Sequence, residues 1–435
     1  MSGARAARRL PFFYGWVVVG ATFTMLMTAS GLGFYALTLY LRRLTDERGF
    51  SVSSVSGATA LFFVVSGLTG VVVGRLINRG DPRPVVATGA VLAASAIAAL
   101  GRVEELWQVY AAYAVFGAGF SACALVPSST LVSRWFHRQR SVALSISSTG
   151  LSVGGVVLTP AAAALIDRIG FSEAMTWLAL VFLVGVIPIT ALLLKADPAD
   201  IGLRPDGEPV PPDEVVRPAL QGVPFAEAVH GRLFRFITAA WTLGLLAQVG
   251  GIAHLYSLVG GRIDNATAAT AVSVLAACSM TGRLIGGWLL NRVPLRAASL
   301  AWLVLQAVGL CSLGLFEGRA VLLVASALFG FSVGNVLLLQ PIVLAEVFGV
   351  RDYPRILARS QMVSTIGVAS GPLVLGLLRD ATGGYTAAYL VATVVSLAAS
   401  AVLVVGGPLR EFTPGPPEVS GTGAATALGS GGGRP

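Results

Sequence analysis

Apolar residues in this chain gather into twelve long runs, broken by short segments rich in arginine, glycine and proline. The runs cover residues 16–41, 54–77, 84–101, 106–132, 142–166, 174–194, 234–259, 266–290, 297–316, 320–345, 356–378 and 385–407. Each is close to the ~20 residues that a helix needs to cross the hydrocarbon core of a bilayer. Hydrocarbon offers no partner to a backbone N–H or C=O, so such segments fold as helices. The pattern predicts an all-α membrane protein with twelve transmembrane helices.

The polar punctuation divides the chain in the middle. Residues 196–231 hold Asp197-Pro198, the turn-forming run Gly202-Leu203-Arg204-Pro205-Asp206-Gly207, and Pro211-Pro212. This composition predicts a cytoplasmic linker between two six-helix bundles, 1–195 and 232–408. Residues 409–435 are rich in Gly, Pro, Ser and Thr, the composition of a disordered tail.

The two halves echo each other. Gly74-Arg75-Leu76-Ile77-Asn78-Arg79 ends the second run, and Gly287-Trp288-Leu289-Leu290-Asn291-Arg292 ends the eighth, 213 positions later. Gly155 and Pro160 in the fifth run return as Gly367 and Pro372 in the eleventh, at an offset of 212. Two echoes at nearly one offset indicate duplication. Two pseudo-repeated six-helix bundles around a central site form the architecture of an alternating-access transporter.

Composition agrees. Hydrophobic residues make up 55% of the 435 and charged residues only 12%, against about 25% charged in soluble domains. The net charge of +9 comes almost wholly from arginine, Lys195 being the one lysine. Arg5, Arg8 and Arg9, then Arg75, Arg79 and Arg83, Arg134, Arg138 and Arg140, Arg292 and Arg296, and Arg351, Arg355 and Arg359 all fall on one side of the expected topology. The positive-inside rule makes these loops and both termini cytoplasmic. Arg42, Arg43 and Arg48 dissent on the outer side, beside Asp46 and Glu47. The basic charge is thus a topology signal, and no nucleic-acid partner is expected. Cys123, Cys278 and Cys311 lie inside runs without paired spacing, so neither disulfides nor a metal site is expected. No cofactor is expected, and no acidic pair, metal-ligand cluster or nucleophile–base set inside the runs suggests an enzyme.

One charge lies deep in a run. Arg283 sits in Ser279-Met280-Thr281-Gly282-Arg283-Leu284-Ile285-Gly286-Gly287. A charge at the centre of a membrane helix costs ~2.5–3.5 kcal/mol on insertion scales, so an anionic partner in a protein cavity is the default expectation. The alternative is an arginine that snorkels or bonds backbone carbonyls. The repeat places Gly70 opposite Arg283, with Ser66 opposite Ser279. A charge present in one half only suits an asymmetric ligand. Residues 360–378 hold no Lys or Arg, and Gln361 and Ser364 are polar candidates there. One buried cation can neutralise one negative charge. His254, inside the seventh run, is a candidate switch near neutral pH, or a neutral ring bonded to a carbonyl. Asn335 in the tenth run is another polar candidate.

The chain as a whole resembles the major facilitator superfamily. The Gly-x-Leu-x-Asn-Arg echoes are similar to that superfamily's loop signature, which normally has Asp where Asn78 and Asn291 stand. Within it, the chain resembles the monocarboxylate-transporter-like branch and the related oxalate/formate-type exchangers. Tyr14-Gly15-Trp16 opens the first run. Arg134-Trp135-Phe136-His137-Arg138-Gln139-Arg140-Ser141-Val142-Ala143 is similar to the branch's loop 4–5 signature, continued by Gly150 and Gly154-Gly155. Arg283 with Gly286 and Gly287 is the third match.

The resemblance implies that Arg283 binds a substrate carboxylate, with Ser279 at the companion position one turn earlier and Tyr35 near the place of the branch's span-one lysine. It implies gating roles for Asn78, Arg79, Asn291, Arg292, Arg138 and Arg140. The expected activity is secondary active transport of small monocarboxylates or related organic anions, with proton symport left open, by a monomer in the cell inner (plasma) membrane. Gly155 and Pro160 are also similar to a motif of drug/proton antiporters. That keeps an exporter of hydrophobic drugs or secondary metabolites as the alternative, and a receptor with the transporter fold as a third.

Overall fold

A computed structural model of the chain describes residues 12–207, 220–410 and 412. Arg5, Arg8 and Arg9 and nearly all of the tail lie outside the described residues. Among the described residues, twelve helices are long and apolar enough to cross a membrane. In chain order they are α1 (Gly15–Arg48), α2 (Val52–Arg79), α3 (Pro82–Leu100), α4 (Leu106–Trp135), α5 (Arg140–Ile169) and α6 (Phe171–Leu192). After the linker come α7 (Arg232–Arg262), α8 (Asn265–Leu289), α9 (Leu295–Leu315), α10 (Arg319–Phe348), α11 (Tyr353–Thr382) and α12 (Tyr385–Gly406). Several outrun the apolar stretches: α1 reaches Arg48, beyond residue 41, and α11 runs 353–382 where the apolar stretch covers 356–378. Hydropathy registers the part in hydrocarbon, whereas a helix continues until a cap ends it. Gly49 and Gly383, both left-handed with φ 71° and 72°, end α1 and α11. At the other kind of end, the Asp264 carboxylate accepts from the backbone N–H and hydroxyl of Thr267, starting α8.

Two helices carry π-helical segments that the apolar pattern does not show. They are Ser30–Tyr35 in α1 and Gly154–Leu158 in α5, and they face each other. The α5 segment lies just before Pro160, which has no N–H to donate to the ladder. Cross-links satisfy the neighbouring carbonyls. The Ser30 hydroxyl donates to the Leu151 carbonyl at 2.8 Å, and the Thr159 hydroxyl to that of Gly31 at 2.9 Å. Contact is close because glycines remove the side chains. A Cβ added at Gly154 would collide with the Met27 carbonyl, and one at Gly150 with the Phe23 carbonyl. The equivalent pair in the other half, α7 and α11, packs the same way, with Gly367 against the Thr242 carbonyl. There α11 stays α-helical through Pro372.

The halves meet on one side only of the hydrophobic core. On the side that carries the linker, Leu338 and Ile342 of α10 share a buried cluster with Leu131, Val132, Ala143 and Leu144 of α4 and α5. Val126 of α4 joins a cluster built otherwise from α7 to α12 and the linker. The clusters of the opposite side are each confined to one half. Polar bonds seal the linker side. Arg140 of α5 pairs with Glu346 of α10 at 2.8 Å, and the Asn78 amide of α2 donates to Asp352 at the start of α11 at 2.7 Å. The Ser141 hydroxyl donates to the Asn291 side-chain oxygen. The protein is closed on the linker side.

The linker is more ordered than its composition suggests. It forms short turns at Pro198–Ile201 and Pro205–Gly207 and a helix at Phe225–His230. Asp206 accepts from the backbone N–H groups of His137 and Arg138, capping the loop before α5. Gly222 bridges Gly349, and the Phe225 N–H donates to Asp352. The start of the tail also packs down: the Phe412 N–H donates to the Glu346 carbonyl, and Leu409 lies on the α7–α12 cluster. Backbone groups left free at helix ends contribute to this: the last carbonyls of α10, at Glu346 and Phe348, accept from the N–H groups of Phe412 and Val223.

Two outcomes follow. Gly154→Ala and Gly367→Ala should lower thermal stability by about 1–3 kcal/mol through overpacking. Gly70→Ala, with open space where its Cβ would be, should leave unfolding of the detergent-solubilised protein unchanged. Asn78→Asp should set two carboxylates against each other, a repulsion of about 4 kcal/mol at 4 Å and an effective dielectric of ~20. Spin labels on Gly80→Cys and Arg351→Cys, with native cysteines removed, should then report a longer distance at pH 8. An unchanged distance distribution would contradict the sealing role.

Candidate functional site

Arg283 lies on α8 six residues before its linker-side end, roughly 9 Å along the axis at 1.5 Å per residue. It is 2% exposed. Small residues bring three helices around it. Gly334 of α10 faces the Ser279 carbonyl and the Arg283 stem, and Gly282 faces Phe331. Gly287 faces Ser145 of α5. A side chain at these glycines would push the helices apart.

The guanidinium is met by backbone oxygens from both halves. Its Nε donates to the Gly334 carbonyl at 3.3 Å, and a terminal nitrogen to the Ser148 carbonyl of α5 at 2.9 Å. The Ser145 hydroxyl donates to the carbonyl of Arg283 itself. Among the described residues no Asp or Glu forms an ion pair with it. Carbonyl dipoles offset part of the charge and leave the rest without a counter-charge. Two of its five N–H donors are engaged in these bonds.

The other expected site residues fall in different places. Ser279, one turn from Arg283 on the same face, is buried at the α8–α10 contact. Tyr35 ends the π segment of α1; its phenol lies within electrostatic range of the guanidinium and its ring lies over Gly155. Gln361 is half-buried on α11. Asn335 is engaged in helix packing: its amide donates to the carbonyls of Gly282 and Phe331, both at 2.9 Å, and its oxygen lies against Gly286. His254 lies on α7 against α11, where its Nε2 donates to the Pro372 carbonyl at 2.9 Å, beside Tyr385. A carbonyl can only accept, so that nitrogen carries the proton. A nearby polar set joins Gln340 to Ser360 and Ser364, and Ser360 to Thr238.

The expected gating residues gather at the sealed side. Asn78, Asn291 and Arg140 make the cross-half bonds already described. Arg79 lines a 420 Å³ pocket with Asp81, Arg134, Asp197 and Asp200. Arg292 lies over the Trp288 ring, 3.7 Å from its centroid, and the Arg138 backbone is capped by Asp206. Sequence reasoning missed Glu346 and Asp352, the acids that receive Arg140 and Asn78. Their signal was position: two acids at the linker-side ends of α10 and α11, opposite basic or amide groups of the first half. It missed Ser148 too, because a backbone carbonyl leaves no mark in the sequence.

The comparisons agree with this architecture. A family model described as Major Facilitator Superfamily matches residues 18–296 and 258–428. Monocarboxylate transporter 13 of Rattus norvegicus is 26% identical over 402 residues, covering 90% of this chain and 88% of that protein. Monocarboxylate transporter 11 of Mus musculus is 28% identical over 404 residues, covering 89% and 86%. An MFS-type transporter of Gibberella moniliformis is 26% identical over 378 residues, covering 86% and 85%. In fold, the chain is similar to the transporter FucP in its outward conformation, with a TM-score of 0.70 at 13% identity, over 90% of this chain and 98% of that one. Helix count, pseudo-repeat, family model and fold agree: the chain belongs to the Major Facilitator Superfamily, a multi-pass membrane transporter similar to the monocarboxylate-transporter-like branch.

Proposed function

We propose that the protein is a secondary active transporter of a small monocarboxylate or related organic anion, and that Arg283 anchors the carboxylate. The observation that carries this is a buried guanidinium bonded to two backbone carbonyls and, among the described residues, paired with no carboxylate. A carboxylate would replace those dipoles with a full opposite charge in a region of low dielectric. Arginine offers it a planar fork of donors that lysine cannot copy. The run 360–378 of α11 holds no second cation, which favours one negative charge over two. The similarity to monocarboxylate transporters 13 and 11 supports the same reading.

The bond from Arg283 to Ser148 ties α8 to α5, and so one half to the other. An anion that draws the guanidinium away from that carbonyl loosens the tie, which connects binding to reorientation. The arginines on the linker side favour a cytoplasmic linker, and the structure then represents the carrier closed to the cytoplasm. His254, held on the Pro372 carbonyl, has no part in this site, and the reading assigns no proton relay.

A thermal-shift series on the purified protein tests this. A ligand at about 100 times its Kd stabilises the fold by about 2.7 kcal/mol. At least one small monocarboxylate should raise the unfolding temperature of the wild type, less so that of Arg283→Lys, and not at all that of Arg283→Gln, which keeps donors for the carbonyls without the charge. A shift that survives in Arg283→Gln contradicts the reading. Shifts produced only by hydrophobic drugs would favour the exporter of hydrophobic compounds.

A further inference from the structure

Arg283 stands below an aromatic wall. Phe34 and Tyr35, at the end of the α1 π segment, are 40% and 39% exposed. Their rings meet edge to face with centroids 5.1 Å apart, and Phe34 meets Phe63 of α2 the same way at 5.8 Å. Phe63 rests on Phe62, which is fully buried against Phe116 and Phe120, each at 5.2 Å. The wall is therefore backed by core and fixed in place. Tyr35 lies on the α5 backbone, where a Cβ at Gly155 would meet its ring at 2.7 Å. Its phenol is in electrostatic range of Arg283, and its ring lies on α5, the helix whose Ser148 carbonyl meets the guanidinium.

Spacing along α5 relates the two. The guanidinium is bonded to Ser148, and the Tyr35 ring covers Gly155, seven residues further, about 10 Å at 1.5 Å per residue. An acid with a ring on a short chain spans more of that interval than a two- or three-carbon acid. Aromatic faces gain from offset or edge-to-face contact with a further ring beyond what area alone gives.

We propose that Phe34, Tyr35 and Phe63 form a subsite for an aryl or similarly bulky apolar group, and that the transported monocarboxylate carries such a group on a short chain. This rests on the reading of Arg283 as the anion anchor. The charge is required and the ring adds affinity: the guanidinium takes the carboxylate, and the wall favours an apolar body.

Thermal-shift titrations test it with three probes, propionate, 3-phenylpropionate and the neutral 3-phenylpropionamide, and with 3-phenylpropionate on Arg283→Gln. The expected result is an apparent Kd for 3-phenylpropionate at least about tenfold below that for propionate, the scale of discrimination by an apolar pocket. The amide should give no shift, and Arg283→Gln none with the acid. Phe34→Ala should remove the preference while the propionate shift remains. If the two acids bind equally and both depend on Arg283, the subsite is wrong and the anion anchor stands. If the amide stabilises as well as the acid, or no probe shifts the wild type, the anchor itself fails and the subsite with it.

Discussion

A guanidinium buried away from water is tolerated here because one carbonyl from each half of the protein meets it. Gly334 supplies one from α10 and Ser148 the other from α5. Much of the surrounding sequence serves that meeting. Gly282, Gly286, Gly287 and Gly334 strip side chains from the contacts of α8, and Asn335 of α10 clasps the gap with a bond to the Gly282 carbonyl. Ser145 adds a bond to the backbone of Arg283 itself. The arginine thus ties the halves by hydrogen bonds: on its linker side they share apolar clusters, and the clusters of the opposite side are each confined to one half.

The seal beneath it is a matter of charge matching. Arg140 meets Glu346, and the neutral Asn78 meets Asp352, which also accepts from the linker N–H of Phe225 and pairs with Arg355. The superfamily signature has an acid where Asn78 stands. With Asp352 facing that position, an acid would be repelled and an amide is accommodated. The departure of this sequence from the signature is thus matched by its partner across the interface.

Twelve helices, two halves and the asymmetry of Arg283 were legible because they follow from hydropathy, repetition and charge, which are properties of side chains. The π segments at Ser30–Tyr35 and Gly154–Leu158 were not, since a shift in the hydrogen-bond ladder leaves the apolar pattern intact. The roles of Asn335 and His254 were ambiguous for another reason. An amide or imidazole in a membrane helix looks alike whether it faces a ligand or a neighbouring carbonyl. Only packing distinguishes the two, and it places both on carbonyls. The acids at 346 and 352 were visible, but their partners came from helices distant in sequence.

The most direct measurement of the central claim is flux. Purified wild type and Arg283→Gln, matched for unfolding temperature, would be placed in liposomes and supplied with radiolabelled 3-phenylpropionate or propionate. The account predicts saturable uptake of at least one of these anions by the wild type and none above protein-free liposomes by the variant. Uptake by Arg283→Gln at the wild-type rate would contradict it.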